Sequence, residues 1–197
     1  MLIRKEGRAI SCHPLAGSAR RLDDPLADWE SGALSASPRR TSTSTATSSM
    51  PSATGSLPCA PKPTSPERPT LTHTPQLASR HAPIRGMLAD TSMTALDLAL
   101  AVHPTPAICG TPTRDAYETI SALEGDRGFY AGAVGGCDER GDGEWMVTIR
   151  CARIDADGTG ITAYAGGGIV ADSVPEDELA ETATKFTTIL DALGVTA

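Results

Sequence analysis

The stretch whose reading decides the fold runs from Arg127 to Val170: RGFYAGAVGGCDERGDGEWMVTIRCARIDADGTGITAYAGGGIV. Three segments within it, GFYAGAVGGC, GEWMVTIRCARI and GITAYAGGGIV, carry the β-branched and aromatic residues that suit a pleated surface. DERGDG and DADGTG separate them, and their glycines and aspartates suit tight turns. The pattern predicts three strands joined as an antiparallel meander. A glycine inside a strand has no side chain to pack, so those here mark close backbone approach by a ligand or a second sheet.

Outward from this stretch the apolar period changes from two to that of a helix. SVPEDELAETATKFTTILDALG (Ser173–Gly194) reads as a helix, with Ser173 and Glu176 as a capping box and Pro175 in the first turn. Leu179, Phe186, Leu190 and Leu193 form its apolar stripe, and Gly194 stops it. Upstream, TPTRDAYETISALEG predicts a helix capped by Thr111, with Pro112 in its first turn, Tyr117, Ile120 and Leu123 on one side and Gly125 at its end. DTSMTALDLALAV predicts another, capped by Asp90 or Thr91, with Leu96 and Leu100 on the apolar stripe. HPTPAICGTP between the two is a loop broken by proline and glycine.

Residues 1–31 mix charged and apolar side chains, order resumes at about residue 69, and 32–68 is different in kind. Eight of the nine residues from Thr41 to Ser49 are Ser or Thr, and no acidic residue lies between Glu30 and Glu67. Such a composition buries too little apolar area to offset its chain entropy, which predicts disorder. The 197 residues carry a net charge of −7, which argues against a nucleic-acid or anionic-membrane partner. MLIRKEGRAISCHP has no apolar run after its charges and ALDLALAVHP is too short to span a bilayer, so a cytoplasmic protein is expected. The five cysteines and four histidines show neither CxxC nor metal-site spacing, which suits free thiols in a reducing compartment.

Two groups of residues could carry chemistry. Glu178, Glu181 and Lys185 fall at i, i+3 and i+7, on one helical face. Two carboxylates a turn apart can hold a hard cation such as Mg²⁺, with the lysine on a substrate carboxylate; the same spacing also describes a solvated face with a Glu–Lys pair. Arg150, among apolar strand residues, needs either a structural carboxylate or an anionic ligand held bidentately. Tyr130 offers a lone hydroxyl, and AGGGIV offers either backbone N–H groups or a strand kink.

In combination, HPLAGSARR, HPTPAICGTP, RGFYAGAVGGCDERGDGEWMVTIRCA, YAGGGIV and DELAETATKF resemble the C-terminal part of the chorismate-utilising enzymes. The likeness is strongest to the isochorismate synthases of siderophore and menaquinone pathways, and covers Met1 to Ser31 and Pro66 onward. It implies an α+β fold of stacked antiparallel sheets with surrounding helices, chorismate as substrate and isochorismate as product. It implies that Glu178 and Glu181 are Mg²⁺ ligands. It places Tyr130 and Arg150 on the enolpyruvyl carboxylate, with Lys185 beside the metal carboxylates. Gly167 and Gly168 would be backbone donors to the substrate, and Ala16 and Gly17 would line the pocket.

The family's reaction moves a hydroxyl from C4 to C2 of chorismate, with a lysine activating water and a glutamate protonating the departing hydroxyl. The resemblance assigns both to motifs of the family's N-terminal half like KVVLAR and SPELL, and neither occurs here. The chain by itself is therefore expected to be inactive unless a complementing N-terminal polypeptide supplies them. Two motifs depart locally: VGG stands where a Trp usually follows VG, and GGG where GAG is usual. The family's metal-binding KDxxEHxxVVD helix is also missing, and the Ser/Thr tract stands in its place. One permitted coding of Pro38–Thr54, read one nucleotide back, spells AKDLHEHRYVVDAVRD, and one coding of Ala78–Pro83 contains HLATP. The segment at about 38–66 thus reads as a frame-slipped remnant of that helix. Salicylate- or anthranilate-type chemistry, and a non-catalytic interaction protein with the tract as linker, are the alternatives.

Overall fold

A computed structural model describes residues 1–20, 24, 26, 57, 59, 64, 70–73, 77–81 and 83–195. Its largest sheet assembles strands distant in sequence: β1 (Ile3–Glu6), β2 (Ala9–Cys12), β6 (Ile84–Met87), β7 (Ala133–Cys137) and β8 (Gly143–Val147), in the order β6-β2-β1-β8-β7. A second sheet joins β3 (Leu15–Arg20), β4 (Thr70–His73) and β5 (Leu77–His81) in the order β3-β5-β4. A third pairs only β9 (Cys151–Ile154) with β10 (Ile161–Tyr164). Every pairing between these strands is antiparallel, as the α+β reading expects.

The helices are α1 (Ala95–Val102), α2 (Thr113–Glu124) and α3 (Pro175–Leu193). α1 lies against the large sheet, and its Ala95 N–H donates to the carbonyl of Gly141 in the β7–β8 turn at 2.8 Å. Gly141 has φ +76, and a Cβ there would lie 2.9 Å from the Thr94 methyl, so the turn requires glycine twice over. A second tie crosses the same corner. The buried Lys5 ammonium meets Asp142 at 2.6 Å, and Asp142 also accepts from the Gly7 N–H at 2.9 Å.

Burial is sharply uneven along the chain. Leu2, Ile3, Ile10, Cys12, Leu57, Ile84, Leu88, Ala95, Leu98, Ala99 and Val102 make up the apolar core, and among the described residues no apolar side chain beyond Val102 is buried. α2 and α3 contribute no buried residue.

Several expectations are corrected. The predicted meander is broken: GEWMVTIRCARI is not one strand but β8 and β9, which belong to different sheets. The break falls at 148–150, where Arg150 adopts a left-handed φ of 51°. Residues 1–20, read as an unassigned mixture, form three strands, two of them joined through the Gly7 turn.

The helix caps differ too. α1 is capped by Thr94, in a reciprocal capping box with Asp97, rather than by Asp90 or Thr91. Its buried face is Ala95, Leu98, Ala99 and Val102, while Leu96 and Leu100 point outward. Pro112 and Val174 take the cap positions of α2 and α3, without the side-chain bonds expected from Thr111 and Ser173. Gly125 and Gly194 end their helices as predicted.

The segment 32–68 lies outside the described residues except at three points. Leu57 is in the core, and Cys59 and Thr64 bridge to Leu88 and Arg85.

Candidate functional site

α3 carries Glu178, Glu181 and Lys185 on successive turns of one face, and the 166–173 segment lies against that face. Lys185 Nζ is 2.8 Å from Glu181 Oε1 and donates to the carbonyl oxygen of Gly166 at 2.8 Å. The Ser173 hydroxyl donates to Glu178 Oε1 at 2.7 Å and accepts from the Val170 N–H at 3.1 Å. Ser173, which the sequence offers as a cap, instead orients a carboxylate and closes the loop onto the helix. A Cβ on Gly167 would lie 3.1 Å from Glu178 Oε2 and 3.8 Å from Lys185 Nζ. The backbone of the run thus passes close to both side chains, and a Cβ there would press the Glu178 carboxylate aside by a few tenths of an ångström.

The aromatic wall comes from the other side. A Cβ on Gly166 would fall 2.8 Å from the Tyr130 hydroxyl oxygen, so that hydroxyl rests against the glycine run. The Tyr130 ring stacks on Tyr164 of β10 at 5.5 Å between centroids, with planes inclined 20°. The Arg127 guanidinium sits 5.5 Å from the centre of the Tyr130 ring. Arg127 is held by two hydrogen bonds to Glu124, at 2.7 and 2.6 Å, and also donates to the Ile108 carbonyl at 3.4 Å. Burial pushes the Tyr130 phenol above its ordinary value, and the charge of Arg127 opposes that rise.

Arg150 completes the group. Ala131 N–H donates to Thr148 O at 2.8 Å and Thr148 N–H to Gly132 O at 2.9 Å, which fastens the segment after Tyr130 to the segment before Arg150. Ala131 and Arg150 both have left-handed backbones, at φ 65° and 51°. Non-glycine residues hold that conformation at a cost of about 1 kcal/mol each and persist where the surroundings impose it. Arg150 is half-buried; desolvation lowers its guanidinium from its ordinary value and the charge of Glu181 opposes that. Arg150 is therefore no strand residue, but it does stand within electrostatic reach of Glu181.

The structure thus gathers Tyr130, Arg150, Gly167, Glu178, Glu181 and Lys185. It leaves open space where a Gly168 side chain would be, so the close approach is confined to Gly166 and Gly167. Ala16 and Gly17 lie on β3 of the separate three-stranded sheet, where the register shift between Ala16 and Ser18 falls at Gly17. The sequence reading passed over Ser173 as a carboxylate partner, and Gly166, Tyr164, Arg127 and Glu124. An i,i+3 Glu124–Arg127 pair and an aromatic at 164 were visible signals, but their convergence was not.

The donor chemistry suits a hard, hydrated dication: two carboxylates one turn apart, with water or a substrate oxygen completing the shell. No group of three or more His, Cys, Asp or Glu residues that could hold a metal ion occurs among the described residues. A cation here would therefore compete for Glu181 with Lys185 and for Glu178 with the Ser173 hydroxyl.

A family model described as chorismate binding enzyme matches residues 1–194. A Mycobacterium tuberculosis protein assigned as isochorismate synthase MenF is 49% identical over 195 residues, which span 99% of this chain and 52% of that protein. Isochorismate synthase DhbC of Bacillus subtilis is 45% identical over 196 residues, spanning 99% of this chain and 49% of the relative. A crystal structure from Bacillus anthracis, assigned as a 2,3-dihydroxybenzoate-specific isochorismate synthase, is 38% identical with a TM-score of 0.89 and covers 99% of this chain and 52% of that one. The chain spans about half the length of the relatives it matches.

Proposed function

Because the chain belongs to the chorismate-binding enzyme family and is a homologue of isochorismate synthases, we propose that it carries the carboxylate- and cation-binding side of an isochorismate synthase site. The observation that carries this reading is the seating of Lys185 between Glu181 and the Gly166 carbonyl, with Glu178 against Gly167. Arg150 takes a substrate carboxylate in its two-pronged fork, and the Tyr130 hydroxyl adds a directed hydrogen bond to the same group. Lys185 supplies positive charge at the mouth of the glycine run, and the Gly167 N–H lies where a substrate oxygen can approach the backbone. Glu178 and Glu181 hold Mg²⁺, which when bound neutralises substrate carboxylate charge.

These 197 residues bind chorismate but do not turn it over alone. Isomerisation needs a base for the attacking water and an acid for the departing hydroxyl, and the motifs that would supply them are not in this sequence. A complementing N-terminal polypeptide would supply both. On this reading the setting is the cytoplasm, and the pathway is a siderophore or menaquinone one, the latter in keeping with the names of the relatives. Among the described residues no helix is long and apolar enough to cross a membrane.

Calorimetric titration of chorismate into the purified chain with Mg²⁺ tests binding. Saturable uptake that Arg150→Gln weakens at least tenfold is expected, and Glu178→Gln with Glu181→Gln should abolish its Mg²⁺ dependence. Absence of uptake, or uptake indifferent to these changes, refutes the site. Isochorismate produced by the chain alone refutes the inactivity. The frame-slipped origin of about 38–66 has its own test: the gene's nucleotides there must spell a KDxxEH helix in another frame.

A further inference from the structure

Arg127 sits where three segments meet: α2 ends beside it at Glu124, the loop before α2 reaches it at Ile108, and Tyr130 follows three residues on. All three guanidinium nitrogens are engaged. Nε and Nη2 donate to the two carboxylate oxygens of Glu124 at 2.7 and 2.6 Å, and Nη1 donates to the Ile108 carbonyl at 3.4 Å. These bonds commit the guanidinium to the protein itself rather than to a substrate carboxylate. They also need its planar fork, because a lysine ammonium is a point charge and does not span both oxygens of Glu124 and the loop carbonyl at once.

The same residue holds Tyr130 through both backbone and side chain. The Arg127 carbonyl accepts from the Tyr130 N–H at 3.0 Å, closing a turn in which Gly128 has φ +55 and donates to Asp126 Oδ1 at 2.8 Å. That turn brings the tyrosine ring back to its own guanidinium, 5.5 Å from the ring centre. The ring also stacks on Tyr164, which leaves the hydroxyl against Gly166. A cation beside a ring restrains it only as well as the cation is itself restrained. Here the guanidinium is anchored on a helix end and on a loop carbonyl, so the tyrosine is confined to one of its side-chain rotamers.

We propose that Arg127 is a positioning residue of the substrate site: anchored by Glu124 and the Ile108 carbonyl, it holds the Tyr130 ring so that the hydroxyl stays at the glycine run, aimed at a substrate carboxylate. The proposal rests on the reading of Tyr130 as a carboxylate partner given above. It adds the device that aims this hydroxyl, and it makes the C-terminal end of α2 and the loop before that helix part of the site's support.

The test is a double-substitution cycle, read by calorimetric titration of chorismate with Mg²⁺ into the full 197-residue chain. Arg127→Gln and Tyr130→Phe should each weaken uptake about tenfold. In the Tyr130→Phe background, Arg127→Gln should cost less than about a further twofold, because the hydroxyl it aims is gone. Arg114→Gln, which removes an exposed pair with Glu118 on α2, should change uptake less than about twofold. Without ligand, the near-ultraviolet signal of Arg127→Gln should lose the stacked-tyrosine contribution while the far-ultraviolet spectrum is kept. Should Arg127→Gln not fold, Arg127→Lys, which keeps a charge but not the two-pronged hold, carries the same cycle. Equal losses in the two backgrounds overturn the proposal, because Arg127 then acts on the fold as a whole or on the substrate itself. Unchanged uptake by Arg127→Gln, or by Tyr130→Phe, also overturns it and leaves the rest of the site standing. If the unmodified chain takes up no chorismate, the site reading itself is refuted and the proposal falls with it.

Discussion

Replacing Leu98 and Leu179 by alanine, one at a time, compares the two halves of this chain with the same chemical change. Leu98 is fully buried on α1, in a cluster with Ile3, Leu88 and Val102. Deleting its outer carbons loses their transfer free energy and leaves a cavity that the close-packed sheet cannot fill, a loss of about 3 kcal/mol. Leu179 is also a helical leucine, but it is 72% exposed. Full burial of a leucine contributes about 2 kcal/mol, so the quarter it buries is worth about 0.5 kcal/mol. Alanine's higher helix propensity offsets about 0.2 kcal/mol of that. Urea unfolding followed by far-ultraviolet circular dichroism reads both. With an m-value of about 2 kcal/mol/M, Leu98→Ala lowers the midpoint by about 1.5 M and Leu179→Ala by about 0.2 M or less. If Leu179→Ala costs as much as Leu98→Ala, the α3 layer has a core of its own, and the uneven burial is wrong.

His103 is partly buried, its Nδ1 has no hydrogen-bond partner among the described residues, and burial lowers its pKa. The unfolded chain then binds the proton more tightly than the folded one. The contribution is complete above pH of about 6.5 and is lost as pH falls through the folded value. Melting temperature should therefore drop between pH 7.5 and 5, and His103→Phe should flatten that dependence. Gly135→Ala places a Cβ against the Glu144 carbonyl and 2.8 Å from Trp145 Cα, backbone that cannot yield, and should destabilise the β7–β8 hairpin by about 2–3 kcal/mol in the same urea assay. Gly166→Ala forces the Tyr130 hydroxyl aside, so it should weaken chorismate uptake about tenfold while leaving the urea midpoint unchanged, and its near-ultraviolet signal should lose the stacked-tyrosine contribution.

The sequence alone determined local matters. The 3.6-residue period of 175–193, the proline in its first turn and the glycine after it were enough for α3. The i, i+3, i+7 spacing placed Glu178, Glu181 and Lys185 on one face before any coordinates. Glycine and aspartate clusters located the β7–β8 and β9–β10 turns, because left-handed turn positions favour those residues. The motif combination identified the family. Only the tertiary structure decided that GEWMVTIRCARI serves two sheets, since a left-handed break at Arg150 leaves no trace in a hydrophobic period. Only it revealed that Ser173 serves Glu178 rather than a helix cap, and that Leu98 rather than Leu96 and Leu100 faces the core. In each case a side chain had two acceptable local roles, and the neighbour that chose between them lies elsewhere in the chain. Val134 and Met146, opposed on β7 and β8 and both exposed, show the same limit: period and propensity record that a residue is apolar, but what covers it depends on what packs against the sheet.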